Sequence, residues 1–158
     1  MTQLPASLTL YLDDESATVR LGHEIAAHLP TAAVVWLQGD LGAGKTTLSR
    51  GVLEGLGHSG AVKSPTYTIV EPYEQLAEGP LYHFDLYRLG DPEELNYLGL
   101  GDYVAAGARL LVEWPERGGN RLPTPDLEIA LTVSDTGRSA TLTAHSEQAL
   151  PVLAHLRL

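Results

Sequence analysis

Gly39-Asp40-Leu41-Gly42-Ala43-Gly44-Lys45-Thr46 carries the spacing G-x-x-x-x-G-K-[ST]. This is the pattern of a phosphate-binding loop. Glycines let backbone N–H groups approach phosphate oxygens with no Cβ in the way. A lysine at position 45 reaches β- and γ-phosphates, and the Thr46 hydroxyl can ligate Mg²⁺. The following helix, which takes in Thr47, points its positive end at the anion. The flanks fit this reading. Val34-Val35-Trp36-Leu37 is an apolar run that reads as a buried strand entering the loop. Thr47 to Leu56 reads as the helix leaving it, with Gly57 as its stop.

Such a loop needs an acidic partner for Mg²⁺ or its waters. Asp85 follows Leu81-Tyr82-His83-Phe84, and Glu113 follows Leu110-Leu111-Val112. Parallel strands ending near the loop bring both carboxylates to one edge. One can hold the metal while the other orients water, and at this level either assignment stands. Ser64-Pro65-Thr66-Tyr67 follows the loop helix closely, and Thr66 is placed to sense a γ-phosphate from a switch loop. Three arginines are candidates for balancing phosphoryl charge: Arg50, Arg88 and Arg138. Arg50 also reads as a solvated helix residue, and Arg88 as a surface partner of Asp91 or Glu93. The six histidines show no metal-ligand spacing and read as surface or partly buried side chains. Trp114 reads as core, with part of a docking surface as the other reading.

The elements that must position these groups follow from periodicity and punctuation. Ser7 to Leu12 alternates as a strand, and Asp13 or Asp14 caps a helix running to about Leu29, ended by Pro30. After the loop helix, strands are expected at Tyr67–Tyr73, interrupted by Pro72, at Leu81–Leu86 and at Arg109–Trp114. Asp91 caps a short helix that Gly99 and Gly101 interrupt, and a second turn covers Asp102 to Ala106. Pro115 to Pro125 reads as a loop. Leu127–Val133 and Arg138–His145 flank Asp135-Thr136-Gly137 as a hairpin, and a helix can begin at Ser146, shortened by Pro151. The expectation is one α/β domain over residues 1–158. It is P-loop NTPase-like, a mixed sheet with a parallel core, flanking helices and a C-terminal β-hairpin.

Composition bounds the function. The chain has 158 residues, 20 acidic against 10 basic, a net charge of −10, and no cysteine. Disulfides and thiolate metal sites are excluded. With Lys45 and Lys63 as the only lysines, the chain is poorly suited to gripping a nucleic-acid backbone unaided. No apolar run reaches the length of a membrane span, and Met1 to Pro5 does not open a signal peptide, so a cytoplasmic location is expected.

Four blocks together resemble the bacterial TsaE (YjeE) ATPase family. They are Gly39 to Thr47, Lys63-Ser64-Pro65-Thr66-Tyr67-Thr68, His83-Phe84-Asp85-Leu86-Tyr87-Arg88-Leu89 and Val112-Glu113-Trp114-Pro115. Asp91-Pro92-Glu93-Glu94 and Gly137-Arg138 also look like it. The resemblance implies an ATPase needed for threonylcarbamoyladenosine in tRNA; with no strong arginine finger to name in the chain, slow hydrolysis alone and a faster rate with partners are expected. It would act with TsaD, which performs the transfer, and TsaB, resetting their complex between turnovers while those partners hold the tRNA. It further implies that Gly39, Asp40, Leu41, Gly42, Ala43, Gly44, Lys45, Thr46 and Thr47 bind ATP phosphates. Thr46 and Glu113 would hold Mg²⁺, with Asp85 close by. Thr66 would lie in a switch loop, and Arg138 and the segment near Asp13 beside the nucleotide.

Two other classes share a phosphate loop. A small-molecule kinase needs an acceptor site and an arginine-bearing lid, and no Arg-rich segment is visible. A GTP-controlled binding switch reads guanine with N-K-x-D, which this sequence lacks.

Overall fold

A computed structural model describes residues 3–157; Met1, Thr2 and Leu158 lie outside the described residues, so the reading of Met1 to Pro5 is met only from its third residue. One seven-stranded sheet organises the chain. Its strands are β1 (Ala6–Leu12), β2 (Val34–Gln38), β3 (Val70–Tyr73), β4 (Leu81–Asp85), β5 (Arg109–Glu113), β6 (Leu127–Ser134) and β7 (Gly137–Ala144). Their spatial order is β1-β7-β6-β2-β5-β4-β3. The inner four, β6, β2, β5 and β4, run parallel, and β1, β7 and β3 complete the sheet antiparallel. The expected α/β fold with a parallel core and a C-terminal hairpin is therefore present. Pro72 sits in β3, an edge strand, where its missing N–H leaves no inner ladder bond unmade.

Alternation along the inner strands splits the core into two layers. Val35, Leu37 and Leu111 face α1 (Glu15–His28), α2 (Lys45–Gly55) and α5 (Leu150–Leu156). Val34, Tyr82, Phe84, Leu110 and Val112 face the other layer, with α3 (Glu94–Tyr97) and α4 (Leu100–Ala105). The period of two therefore sends His83, Asp85 and Glu113 to the α2 side of the sheet. Parallel pairing sets Asp85 opposite Glu113 at the ends of β4 and β5. Helix α1 lies against α2 at backbone contact. A Cβ added to Gly22 would stand 2.6 Å from the Gly51 carbonyl carbon and the Val52 nitrogen. That close approach carries the head of α1 to the phosphate loop.

Several expected boundaries move. The strand expected over Tyr67–Tyr73 begins only at Val70. Pro65 to Ile69 turns instead, with the Ile69 N–H donating to the Pro65 carbonyl at 2.8 Å and Ile69 at φ 69°. Asp91 does not cap a regular helix. Its carboxylate accepts the Glu93 N–H at 2.9 Å in a tight turn, and the helix starts at Glu94. Gly99, at φ 92°, separates that helix from α4. Pro115–Arg121, expected as loop, winds into 3₁₀ turns. The tail adopts a 3₁₀ turn at Glu147–Ala149 before α5, with Pro151 in the helix's first turn. No helix of the described residues is long and apolar enough to cross a membrane.

Candidate nucleotide site

The phosphate loop joins the end of β2 to the start of α2. Gly39 must be glycine for steric reasons: a Cβ there would meet the Leu131 carbonyl oxygen at 2.6 Å. Gly44 takes φ 106° and leads directly into α2, so the loop closes on the helix N-terminus. The Ala43 N–H donates to the Asp40 carbonyl at 3.1 Å, and the Leu48 N–H to Gly44 at 2.9 Å. Leu41 is exposed at the loop tip. Asp40 and Thr46 are also exposed, and Thr47 is half-buried.

Lys45 is buried and turned inward. Its Nζ donates to the Gly39 carbonyl and lies 3.9 Å from the centre of the Trp114 ring. Burial lowers the ammonium's pKa, against the pull of Glu113, Asp85, Glu116 and Asp40. Asp85 is buried too. Desolvation raises its carboxyl above the ordinary range, while the Tyr87 N–H, donating at 3.0 Å, pulls it down and Glu113 pushes it further up. Thr66 donates to Asp85 through a long 3.4 Å contact and shares a 2.7 Å hydrogen bond with Ser64. The Pro65–Ile69 turn is thus what holds the Thr66 hydroxyl over the end of β4.

Lys45, Thr46, Thr47, Thr66, Asp85 and Glu113 line one cleft of about 260 Å³. A hydroxyl and two carboxylates are hard oxygen donors, the set that suits Mg²⁺ completed by phosphates and water. Among the described residues no three His, Cys, Asp or Glu side chains gather as a closed metal cage. A second cavity of about 220 Å³ lies on the other side of the loop, lined by Asp14, Glu15, Thr18, Thr136, Gly137 and Arg138. The two share Gly42, Gly44 and Thr47. The larger cavity of about 530 Å³, between the end of α2 and β3, contains none of these residues.

Arg138 opens β7 and reaches back to the loop. Its Nε donates to the Ala43 carbonyl at 3.1 Å and its Nη2 to Gly42 at 3.3 Å. At the head of α1 the cap is Asp14, whose carboxylate accepts the Ala17 N–H at 2.8 Å. Asp14 lines the smaller cavity, whereas Asp13 is exposed and is not among its lining residues. Arg50 pairs with Glu15 at 3.0 Å on the surface. Arg88 makes neither expected ion pair. It lies 4.5 Å from the Tyr67 ring centre, and Glu93 pairs with Arg121 at 3.3 Å.

Two site residues escape the sequence reading. Trp114 is core on one side only: it is half-buried against the Val34, Phe84 and Val112 layer and also lines the cleft under Lys45, and its left-handed backbone, φ 56° and ψ 50°, turns the chain out of β5. That conformation costs about 1–3 kcal/mol for a non-glycine residue, a strain typical of functional sites. His83 is fully buried, with Nε2 2.7 Å from Glu113 Oε2. Its signal was local, since two residues before Asp85 on a strand is the same face.

Comparison with known proteins points to one family. The model of the family described as "Threonylcarbamoyl adenosine biosynthesis protein TsaE" matches residues 12–140. A Haemophilus influenzae protein named tRNA threonylcarbamoyladenosine biosynthesis protein TsaE is 48% identical over 145 residues, spanning 89% of this chain and 91% of its own. A Bacillus subtilis protein of the same name is 42% identical over 120 residues, 75% of this chain and 74% of its own. The crystal structure of Bacillus subtilis YdiB superposes with a TM-score of 0.82 at 31% identity, covering 99% of this chain and 97% of that one.

Proposed function

This chain belongs to the TsaE family of threonylcarbamoyl adenosine biosynthesis proteins, and from that premise we propose that it is the ATP-hydrolysing component of the machinery that makes threonylcarbamoyladenosine in tRNA. The observation that carries the ATPase reading is the single cleft shared by Lys45, Thr46, Thr66, Asp85 and Glu113 beside a helix N-terminus.

In this reading the loop N–H groups from Gly44 to Thr46 bind the β-phosphate, helped by the positive end of α2. Lys45 exchanges the Gly39 carbonyl and the Trp114 ring for β- and γ-phosphate oxygens. The nucleoside occupies the smaller cavity, between the head of α1 and Arg138. Thr46 and Glu113 would hold Mg²⁺, with Asp85 beside it, and Mg²⁺ when bound supplies charge neutralisation of the phosphates. Asp85, held by the Tyr87 N–H and Thr66, orients a water on the γ-phosphorus and takes its proton. The new P–O bond forms as the bond to the β–γ bridging oxygen breaks, giving ADP and phosphate. Thr66 couples the γ-phosphate to the Pro65–Ile69 turn.

No arginine among the described residues stands free in the cleft to complete the transition-state charge, so the isolated chain is a slow ATPase. TsaD, which performs the transfer, and its partner TsaB hold the tRNA and raise the ATPase rate on docking, and hydrolysis resets their complex. The chain's net charge of −10 suits contact with tRNA only through those partners.

The test is phosphate release from ATP by the full chain, with Mg²⁺ or chelator, alone and with TsaD–TsaB. Lys45→Ala abolishes turnover, and Asp85→Ala or Glu113→Ala cripples it. Normal hydrolysis by all three variants sinks the assignment. Phosphate transferred to a metabolite rather than to water indicates a kinase, and equal rates with and without partners refute stimulation.

A further inference from the structure

Glu113 does not stand alone at the end of β5. His83, two residues before Asp85, lies beneath it on the same face of the sheet. The imidazole is 0% exposed and the Glu113 side chain 3%, with Nε2 to Oε2 at 2.7 Å. Nδ1 of the ring has no hydrogen-bond partner among the described residues. The tautomer this arrangement selects carries its hydrogen on Nε2, donating to the carboxylate. One Glu113 oxygen is therefore tied inside the sheet layer, and Oε1 is the oxygen left for the cleft.

We propose that His83 is the positioning residue for Glu113, fixing through Nε2–H which carboxylate oxygen Glu113 offers to Mg²⁺. The inference rests on the Mg²⁺-ATPase reading above and deepens it. A glutamate side chain has three rotatable bonds, so without a tether its oxygens sample many placements. A partner that removes this freedom raises metal affinity without touching metal or nucleotide. Loss of such an outer partner typically lowers metal affinity or activity about 10- to 100-fold. The alternative is a purely structural pair that keeps a buried carboxylate satisfied. The two differ in what they do to Mg²⁺.

The experiment compares the full native chain with His83→Phe, His83→Gln and His83→Asn. Each is read by thermal melting and by affinity for a fluorescent ATP analogue in chelator. Two further readouts are the Mg²⁺-induced gain in that affinity and the Mg²⁺ requirement of hydrolysis. His83→Phe keeps the ring's bulk and removes the donor. We expect its chelator affinity to stay within about twofold of native while its Mg²⁺ requirement rises about 10- to 100-fold. Glutamine carries an amide N–H near the Nε2 position and recovers most of the native Mg²⁺ response; the shorter asparagine does not. Native Mg²⁺ behaviour in His83→Phe, with only a lowered melting temperature, overturns the proposal in favour of the structural pair. Should His83→Phe fail to fold, equal Mg²⁺ requirements in the Gln and Asn variants overturn it instead. If the native chain's own nucleotide affinity and hydrolysis ignore Mg²⁺, the metal reading fails first, which a His83 result cannot mimic.

Discussion

Arg138 tests whether the phosphate loop is pre-shaped by the far end of the sheet. Its guanidinium crosses from β7 to the Ala43 and Gly42 carbonyls at 3.1 and 3.3 Å, tying two consecutive loop peptides to the sheet by their oxygens. Hydrogen bonds to charged groups contribute about 1.5–3 kcal/mol each when dry. Here the side chain is half-exposed and the second contact is long, so about 2 kcal/mol for the pair is the reasonable total. If that energy holds the loop ready, removing it makes nucleotide binding supply the ordering. Arg138→Ala then weakens nucleotide affinity roughly 30-fold, at about 1.4 kcal/mol per decade. Titration of a fluorescent ATP analogue, with a melting curve as control, reads the effect. Arg138→Lys separates two causes. Lysine keeps the positive charge but lacks the planar fork that spans both carbonyls, so it restores little. Full recovery by lysine, or an alanine affinity within about threefold of native (about 0.7 kcal/mol), refutes the pre-shaping.

Three more outcomes follow from the geometry. Because burial raises the folded carboxyl of Asp85, the folded state holds its proton to higher pH than the unfolded chain. Native stability therefore falls as pH climbs from the ordinary carboxylate range through that raised value, and Asp85→Asn melts higher than native at neutral pH while losing hydrolysis; a lower melting point there contradicts the sign. Gly22→Ala forces a Cβ to 2.6 Å from the α2 backbone, a rigid overlap. It costs about 3 kcal/mol, of which helix propensity returns ~1 kcal/mol, and thermal melting should drop by about 4–8 °C; an unchanged melting point means α1 does not sit on α2 at backbone contact. Trp114→Leu removes the ring from Lys45, a contact worth ~1 kcal/mol, and so tightens nucleotide binding about fivefold, whereas weaker binding shows that the indole touches the nucleotide itself.

The phosphate loop was legible because its chemistry is encoded in eight consecutive residues. Asp85 and Glu113 were legible as acids ending apolar runs, but their pairing in one register depends on strand order, which no local stretch contains. The same holds for Arg138, which acts on peptides some 95 residues away in sequence. His83 carried a readable signal in its spacing from Asp85, whereas spacing for a metal cage was the wrong pattern to seek. Trp114 had none, because nothing in Glu113-Trp114-Pro115 announces a left-handed residue. The Tyr67–Ile69 stretch reads as strand by composition, yet Ile69 turns left-handed there and keeps Thr66 at the cleft.

Reconstituted tRNA threonylcarbamoylation with TsaD and TsaB, with this chain omitted, added, or replaced by Lys45→Ala, measures the central claim that the phosphate loop drives a reset rather than the transfer. Repeated turnover is expected with the native chain, and a single turnover when the chain is omitted or carries Lys45→Ala. Repeated turnover at the native rate with Lys45→Ala would contradict it.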